Sequence, residues 1–206
     1  MKRLIIALGL VMMLTMAGCD SGSRQQMDYT LTITIDNTMH HDSATLLVLE
    51  DAYNQLRNCG TVAGRQGTFV FTGQTDRPKA AIIRWDNDSV NPFYFVLEGG
   101  DIHLDIKPSS WAVTGSALNA EYLRYVNQRN AITDARVATW QEYLKMSADS
   151  SLSQDDEHHM VVRDSLLNDS VQRITVERIN QGDAVGRVIR ERYGSQLDKE
   201  HMKMLR

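Results

Sequence analysis

The stretch WAVTGSALNAEYLRYV, residues 111–126, contains the point at which a strand pattern changes into a helix pattern. Before Gly115, apolar and polar residues alternate, which is typical of a strand with one buried face. After Gly115, apolar residues recur at intervals of three, four, seven and eight, which places them on one side of a helix. Ser116 is suited to cap this helix, because its hydroxyl can accept a backbone N–H of the first turn. Strands first and helices second predict an α+β fold.

About seven or eight strands are predicted on the N-terminal side of this stretch. The clearest is YTLTITID at residues 29–36, in which Tyr29, Leu31 and Ile33 alternate with threonines. Turn signals rich in glycine, asparagine and aspartate separate the strands at short spacing. We therefore predict an antiparallel β-sandwich or partly open barrel over residues 28–115. The other predicted strands cover residues 44–50, 67–73, 79–85, 93–98, 102–107 and 111–114, with a weaker candidate at 56–63.

A C-terminal helical arm is predicted over residues 116–206, and its first helix covers 117–147. A second helix begins after Ser153, because Asp155 and Asp156 in its first turn would lie at the positive end of the helix dipole. The apolar stripe of the first helix needs to be covered. It consists of Leu118, Tyr122, Tyr125, Ile132, Trp140 and Leu144.

Two shorter helices are predicted over 184–193 and 199–206. The second of them contains Met202, Met204 and Leu205, and methionine suits an adaptable contact surface because its side chain is long and polarizable. Exposed apolar patches are rare on monomers and mark contacts. We therefore expect the C-terminal helices to contact a protein partner, and residues 199–206 to be weakly held in the isolated chain.

Residues 1–18 have the three parts of a secretory signal peptide, which are a basic head, a short apolar stretch and small residues at the exit. The apolar stretch is shorter than the roughly 20 residues that span a membrane. With Cys19 directly behind Gly18, the segment resembles the lipobox of bacterial lipoproteins. The resemblance implies that Cys19 is the lipid attachment point and that residues 19–27 are a lipidated tether. The alternative is an ordinary signal peptide followed by an unmodified cysteine.

The anchor predicts where the protein works. Two acyl chains are enough for stable attachment, so we expect a lipid bilayer of the cell envelope as partner, with the protein facing the periplasm or the cell surface. The formal net charge of −4 would become −6 on loss of Lys2 and Arg3 with the leader. Nucleic-acid-binding proteins carry clustered lysine and arginine, and because no such cluster occurs here, no nucleic acid is expected as a partner.

The sequence contains no recognisable catalytic motif. Cys59 is the only other cysteine, so neither an intramolecular disulfide nor a C-x-x-C motif exists, and we interpret Cys59 as a small buried residue rather than a nucleophile. The pairs at 40–41 and 158–159 are interpreted as solvated histidines, not metal ligands. We predict no cofactor, no metal and no enzymatic activity, with an unrecognised hydrolase as an alternative. The aromatic residues Trp85, Trp111, Trp140 and 93–95 are interpreted as core, with a ligand-binding face as the alternative.

Four serines follow an aspartate and precede an apolar residue. This pattern is similar to the acceptor motif of the general protein O-glycosylation system of Bacteroidota-type bacteria. The alternative is that Asp and Ser act here only as turn and cap residues. The candidate O-glycosylation sites are Ser43, Ser89, Ser165 and Ser170.

Several segments together resemble a known family. They are YTLTITID, DSATLLVL, GTFVFTG, FYFVLEGGDIHLDI and WAVTGSALNAEYLRYVNQRN, in this order between residues 27 and 194. They resemble the domain of unknown function that precedes thioredoxin-like modules in exported lipoproteins of Bacteroidota. In longer members a module with W-C-x-x-C follows, and since this sequence reaches Arg206 without one, we expect no redox activity.

The resemblance and the anchor together indicate two functions. The first is a membrane-anchored envelope lipoprotein that acts as a non-catalytic binding or scaffold module. The second is the accessory part of a thiol-disulfide oxidoreductase system, acting with a separate thioredoxin-like protein.

Overall fold

The computed structural model describes residues 26–50, 55–87, 89, 93–149 and 151–206. Eight strands come first: β1 Met27–Ile35, β2 Ser43–Leu49, β3 Leu56–Ala63, β4 Thr68–Thr75, β5 Lys79–Trp85, β6 Phe95–Leu97, β7 Gly100–Lys107 and β8 Ser110–Thr114. Four α-helices follow, α1 Ala117–Ala148, α2 Gln154–Asn180, α3 Ala184–Tyr193 and α4 Lys199–Met202, with a short 3-10 helix at Gly194–Gln196 between the last two. The α+β class is therefore confirmed. The predicted leader and Cys19 lie outside the described residues.

The strands form two four-stranded sheets rather than a closed barrel, with the orders β4-β1-β7-β8 and β3-β2-β5-β6. The prediction of a purely antiparallel arrangement is wrong, because β1 and β7 are parallel, with Leu31 opposite Ile102. The cause is the connection before β7. Only Glu98 and Gly99 separate β6 from β7, and this short turn moves the chain from the second sheet to the first instead of closing a hairpin.

The first sheet has one buried and one solvated face. Along β1, the side chains of Tyr29, Leu31, Ile33 and Ile35 are buried, while the residues between them are exposed or half-buried. The buried face shares one hydrophobic core with the inner face of the second sheet. Each fully buried aliphatic side chain of this kind contributes roughly 1.5–3 kcal/mol, so the alternation fixes which face turns inward.

The strands β2, β5 and β6 of the second sheet are buried on both faces, whereas the edge strand β3 has no buried residue. Every residue of β2 from Ala44 to Leu49 is buried, which matches its continuous apolar run. The outer face of this sheet, with Leu49 and Val96, shares a second hydrophobic core with Tyr122 of α1 and Ile189 of α3. The molecule therefore has three layers, namely the first sheet, the second sheet and the helices. No helix among the described residues is both long and apolar enough to cross a membrane.

The turn before α1 joins the sheets to the helices. Gly115 has a φ of +82°, and a Cβ there would lie 2.3 Å from the backbone oxygen of Asp101, so only glycine fits. Ser116 caps α1, as predicted, by accepting the N–H of Asn119 at 3.0 Å. The Ser116 hydroxyl donates in turn to the Glu98 carboxylate.

Asn119 attaches α1 to the edge of the second sheet. Its side chain is fully buried, its amide nitrogen donates to the Val96 carbonyl at 2.8 Å, and its Oδ1 accepts the Val96 N–H at 2.7 Å. Because β6 is an edge strand, this amide occupies the place that a further strand would take. Residues 97–100 and 114–119 carry much of the family resemblance. They lie where the second sheet contacts the start of α1, and we call this contact the Asn119 joint.

The end of the chain packs on α2. The Asn180 side chain donates to the Met204 carbonyl and accepts the Arg206 N–H, each at 2.9 Å, and Leu205 packs against the second core. We expected residues 199–206 to be weakly held, and that expectation did not take these contacts into account. The contacts attach the segment to α2 and to the second core of the same chain. The last helix is also shorter than predicted and ends at Met202.

Candidate functional site

The helices α1 and α2 form a hairpin whose outer half extends beyond the rest of the molecule. The polar contacts of α1 with the body end at Arg129, which donates to Gln196, and those of α2 end at Asp169, which pairs with His201. Farther out, every hydrogen bond and ion pair that the described residues of the two helices form stays within the hairpin. Residues 130–148 of α1 form an overhang about 28 Å long, at 1.5 Å per residue.

Polar contacts hold the two helices of the overhang together. Arg136 donates to both carboxylate oxygens of Asp164, at 2.9 and 3.2 Å, and to Asn168 at 3.0 Å. The hydrogen bond from Arg136 lowers the pKa of Asp164, and the Trp140 indole acts in the same direction. Thr139 fills the interface and is almost fully buried.

Six large apolar side chains of the overhang are exposed, with exposed fractions of 42% to 65%. The interpretation of Trp140 as core is therefore wrong, and Leu144 of the same predicted stripe is also exposed, although Tyr122 and Tyr125 at the base of the helix are buried. The base packs on the second sheet and α3, whereas neither hydrophobic core of the described residues includes a residue of the overhang. We call these six residues the hairpin apolar surface: Val137, Trp140, Leu144, Val161, Val162 and Leu166.

An aromatic groove of about 500 Å³ lies at one end of the sandwich. His41 stacks on Trp85 with ring centroids 4.5 Å apart, and Phe93 stacks on Trp111 at 3.8 Å. Trp85 is buried, as its interpretation as core predicts, while Trp111 is half-buried. No carboxylate is among the described residues that line this groove.

A second cavity of about 500 Å³ lies behind the Phe93–Trp111 pair, between the sandwich and the helices. Arg129 and Arg192 line it together with three tyrosines. Sequence reasoning did not find this site, because the two arginines come from different helices and neither belongs to a motif. The only signal was Tyr122, which the periodicity of α1 assigned to the core.

The other residues that could act as nucleophiles or metal ligands lie in separate parts of the structure. Burial raises the pKa of the Cys59 thiol, with Arg57 acting in the opposite direction, so the thiolate nucleophile is disfavoured. His41 lies 3.1 Å from the Asp86 carboxylate, while His158 and His159 are exposed on α2. Among the described residues, no three histidines, cysteines or acids are grouped as metal ligands would be.

The four serine candidates lie on separate elements. Ser43 begins β2 and is half-buried, and Ser89 is exposed behind the turn after β5. Ser165 is exposed on α2, whereas the half-buried Ser170 donates its hydroxyl to the Leu166 carbonyl at 2.8 Å. The structure does not bring them together.

If the source organism has the O-glycosylation system, we expect glycan at Ser43 and Ser89 before Ser165 and Ser170, because a glycosyltransferase needs an accessible, non-helical backbone. Intact-mass measurement of native, delipidated protein should show added mass, and Ser89→Ala should remove one increment while Ser170→Ala leaves the main species unchanged. A mass equal to that of the bare polypeptide, from an organism with the system, would contradict this expectation.

In a comparison with known proteins, part of the chain matches a family model. No curated protein matches it. The matched region, residues 29–122, spans nearly all of both sheets and ends just beyond the Asn119 joint, so the hairpin overhang and both helices after it lie outside the match. The family model that matches residues 29–122 is that of a domain of unknown function, DUF4369.

Proposed function

We propose that this protein is a lipid-anchored, non-catalytic binding module of the cell envelope that contacts a protein partner through the hairpin apolar surface. The observation that carries the proposal is the exposure of six large apolar side chains on one rigidly paired overhang. Exposed apolar patches above a few hundred Å² are uncommon on monomers and usually mark contacts. A surface that includes a tryptophan is also suited to supply the central anchor of an interface.

The proposal combines the predicted lipid anchor at the N-terminal end with the exposed overhang of the helices. The lipobox-like segment and the polar tether precede β1 directly. A module held at a membrane by its N-terminal end keeps its helices free to meet another envelope protein. The acidic residues at the tip, Asp155, Asp156 and Glu157, favour a protein partner over the anionic surface of a membrane.

The alternative is an accessory role in thiol-disulfide exchange. It is supported by the resemblance to domains that precede thioredoxin-like modules in Bacteroidota and by the DUF4369 match. In that case the partner of the hairpin would be a separately encoded thioredoxin-like protein. A neighbouring reading frame for such a protein would favour this form of the proposal.

We expect Leu144→Glu to reduce the partner recovered with the tagged full-length protein from detergent-solubilised envelopes by tenfold or more. A charge at a desolvated contact costs several kcal/mol, while at this exposed position it leaves the fold intact. Val70→Glu is the matched control, because Val70 is 48% exposed on β4, far from the hairpin in the fold. Equal recovery with Leu144→Glu and the native protein would argue against the proposed surface.

A further inference from the structure

The cavity behind the Phe93–Trp111 pair carries positive charge only. Arg129 from α1 and Arg192 from α3 line it, and no acidic side chain does so among the described residues. Neither arginine has a carboxylate within 4.0 Å in the described part of the chain, whereas Arg77, Arg136 and Arg178 are paired. The two guanidinium groups therefore lie beside the cavity without an acid that neutralises them.

The guanidinium groups of both arginines lie over tyrosine rings, where other arginines of the protein contact carboxylates. The Arg129 guanidinium carbon lies 4.4 Å from the centroid of the Tyr193 ring, and that of Arg192 lies 5.1 Å from the same centroid and 4.2 Å from that of Tyr94. The two guanidinium carbons are thus at most about 9.5 Å apart, the limit set by their distances to Tyr193. Stacking orients the guanidinium planes, and although Nη2 of Arg129 donates to Gln196 at 2.9 Å, each group keeps further N–H donors for an anion.

Two buried polar atoms beside this cavity have no hydrogen-bond partner among the described residues. They are Nε of Arg129 and Nε of Arg192. Burial, followed by the charge of Tyr193 and a hydrogen bond with it, raises the pKa of Tyr122 well above its usual value, so the Tyr122 hydroxyl is neutral and already engaged. Buried donors without partners are rare in folded proteins, which makes the wall of this cavity unusual.

The nearest acid in sequence does not neutralise the cavity. Glu191 precedes Arg192 on α3, but it is not among the described residues that line the cavity, and its carboxylate pairs with Arg77. Phe93, Trp111 and Val126 supply an apolar wall opposite the charges. A cavity of about 500 Å³ falls in the range of small-molecule sites, roughly 300–1,000 Å³.

We propose that this cavity binds a small organic oxyanion, a carboxylate or a phosphate ester, between Arg129 and Arg192, with its apolar body against the Phe93–Trp111 pair. Both anions match the planar fork of a guanidinium group. The site shares no residue with the hairpin apolar surface, so it goes beyond the proposed function and does not depend on it.

Calorimetric titration of the full-length protein in detergent tests this, with benzoate, phenyl phosphate and the neutral analogue benzamide as probes. We expect at least one anion to bind ten times more tightly than benzamide, and the tighter of the two identifies the acid group. No binding of either anion, or benzamide binding as tightly as both, would overturn the proposal.

Two variants locate the binding. Arg192→Gln removes one guanidinium, and Asn130→Asp places a negative charge at an exposed lining residue without disturbing the core. Each should weaken anion binding tenfold or more, while Arg187→Gln, an exposed arginine on the same helix, should leave it unchanged. Unchanged affinity in both Arg192→Gln and Asn130→Asp would place any binding elsewhere and refute the assigned site.

Discussion

Replacing Cys19 with alanine is expected to abolish membrane attachment, leaving either a soluble protein or an unprocessed precursor. Cys19 is one of two cysteines, and it directly follows the small residues Ala17 and Gly18 at the end of the apolar leader. If two acyl chains on this sulfur provide the anchor, losing them removes essentially all of the binding energy, because a single chain already gives only marginal attachment. Membrane fractionation with metabolic palmitate labelling measures both consequences.

The chain supplies its own control for this experiment. Cys59→Ala removes the other thiol, which lies on β3 and is half-buried, so that variant should remain labelled and membrane-bound. An alanine variant at position 19 that still carries palmitate and sediments with membranes would show that the lipid attachment point lies elsewhere.

The second large effect is expected at Asn119, where substitution by alanine should lower the free energy of unfolding by about 3 kcal/mol. The change leaves both the N–H and the carbonyl of Val96 without their partner in a buried place. Each such unsatisfied group costs about 1–3 kcal/mol. For a chain of this size, the midpoint of thermal unfolding should fall by roughly 6–12 °C.

Asn127→Ala makes the same chemical change on the same helix at an exposed position. We expect this control to shift the unfolding midpoint by less than about 2 °C, as is usual for surface substitutions. Equal stability of the two variants would mean that the Asn119 side chain is not what attaches α1 to the sheet edge.

Much of the fold was predictable because local patterns report local burial. The alternation in β1 and the period of the helices follow from which side chains face the core, and the cap at Ser116 follows from its hydroxyl. The parallel pairing of β1 with β7 was not predictable in this way. It depends on whether the turn at Glu98 and Gly99 closes a hairpin or changes sheets, and both turns use the same residue types.

The surfaces proposed for binding were less predictable, for a different reason. Periodicity shows that Trp140 and Leu144 share a stripe with Tyr122, but not that the body of the molecule ends before it reaches them. The charged cavity depends on where α3 packs against α1, since Arg129 and Arg192 meet only at Tyr193. Arrangements of this kind depend on contacts between residues that are far apart in the sequence. Local patterns in a single sequence do not predict such contacts.

Site-specific photo-cross-linking in intact cells tests the central claim, that the hairpin apolar surface contacts a protein partner. A photoreactive amino acid replaces Leu144, and in a matched strain it replaces Val70, which has a comparable exposed position on the first sheet. We predict a discrete protein adduct from position 144 that is absent from position 70. No adduct at position 144, or the same adducts from both positions, would contradict the account.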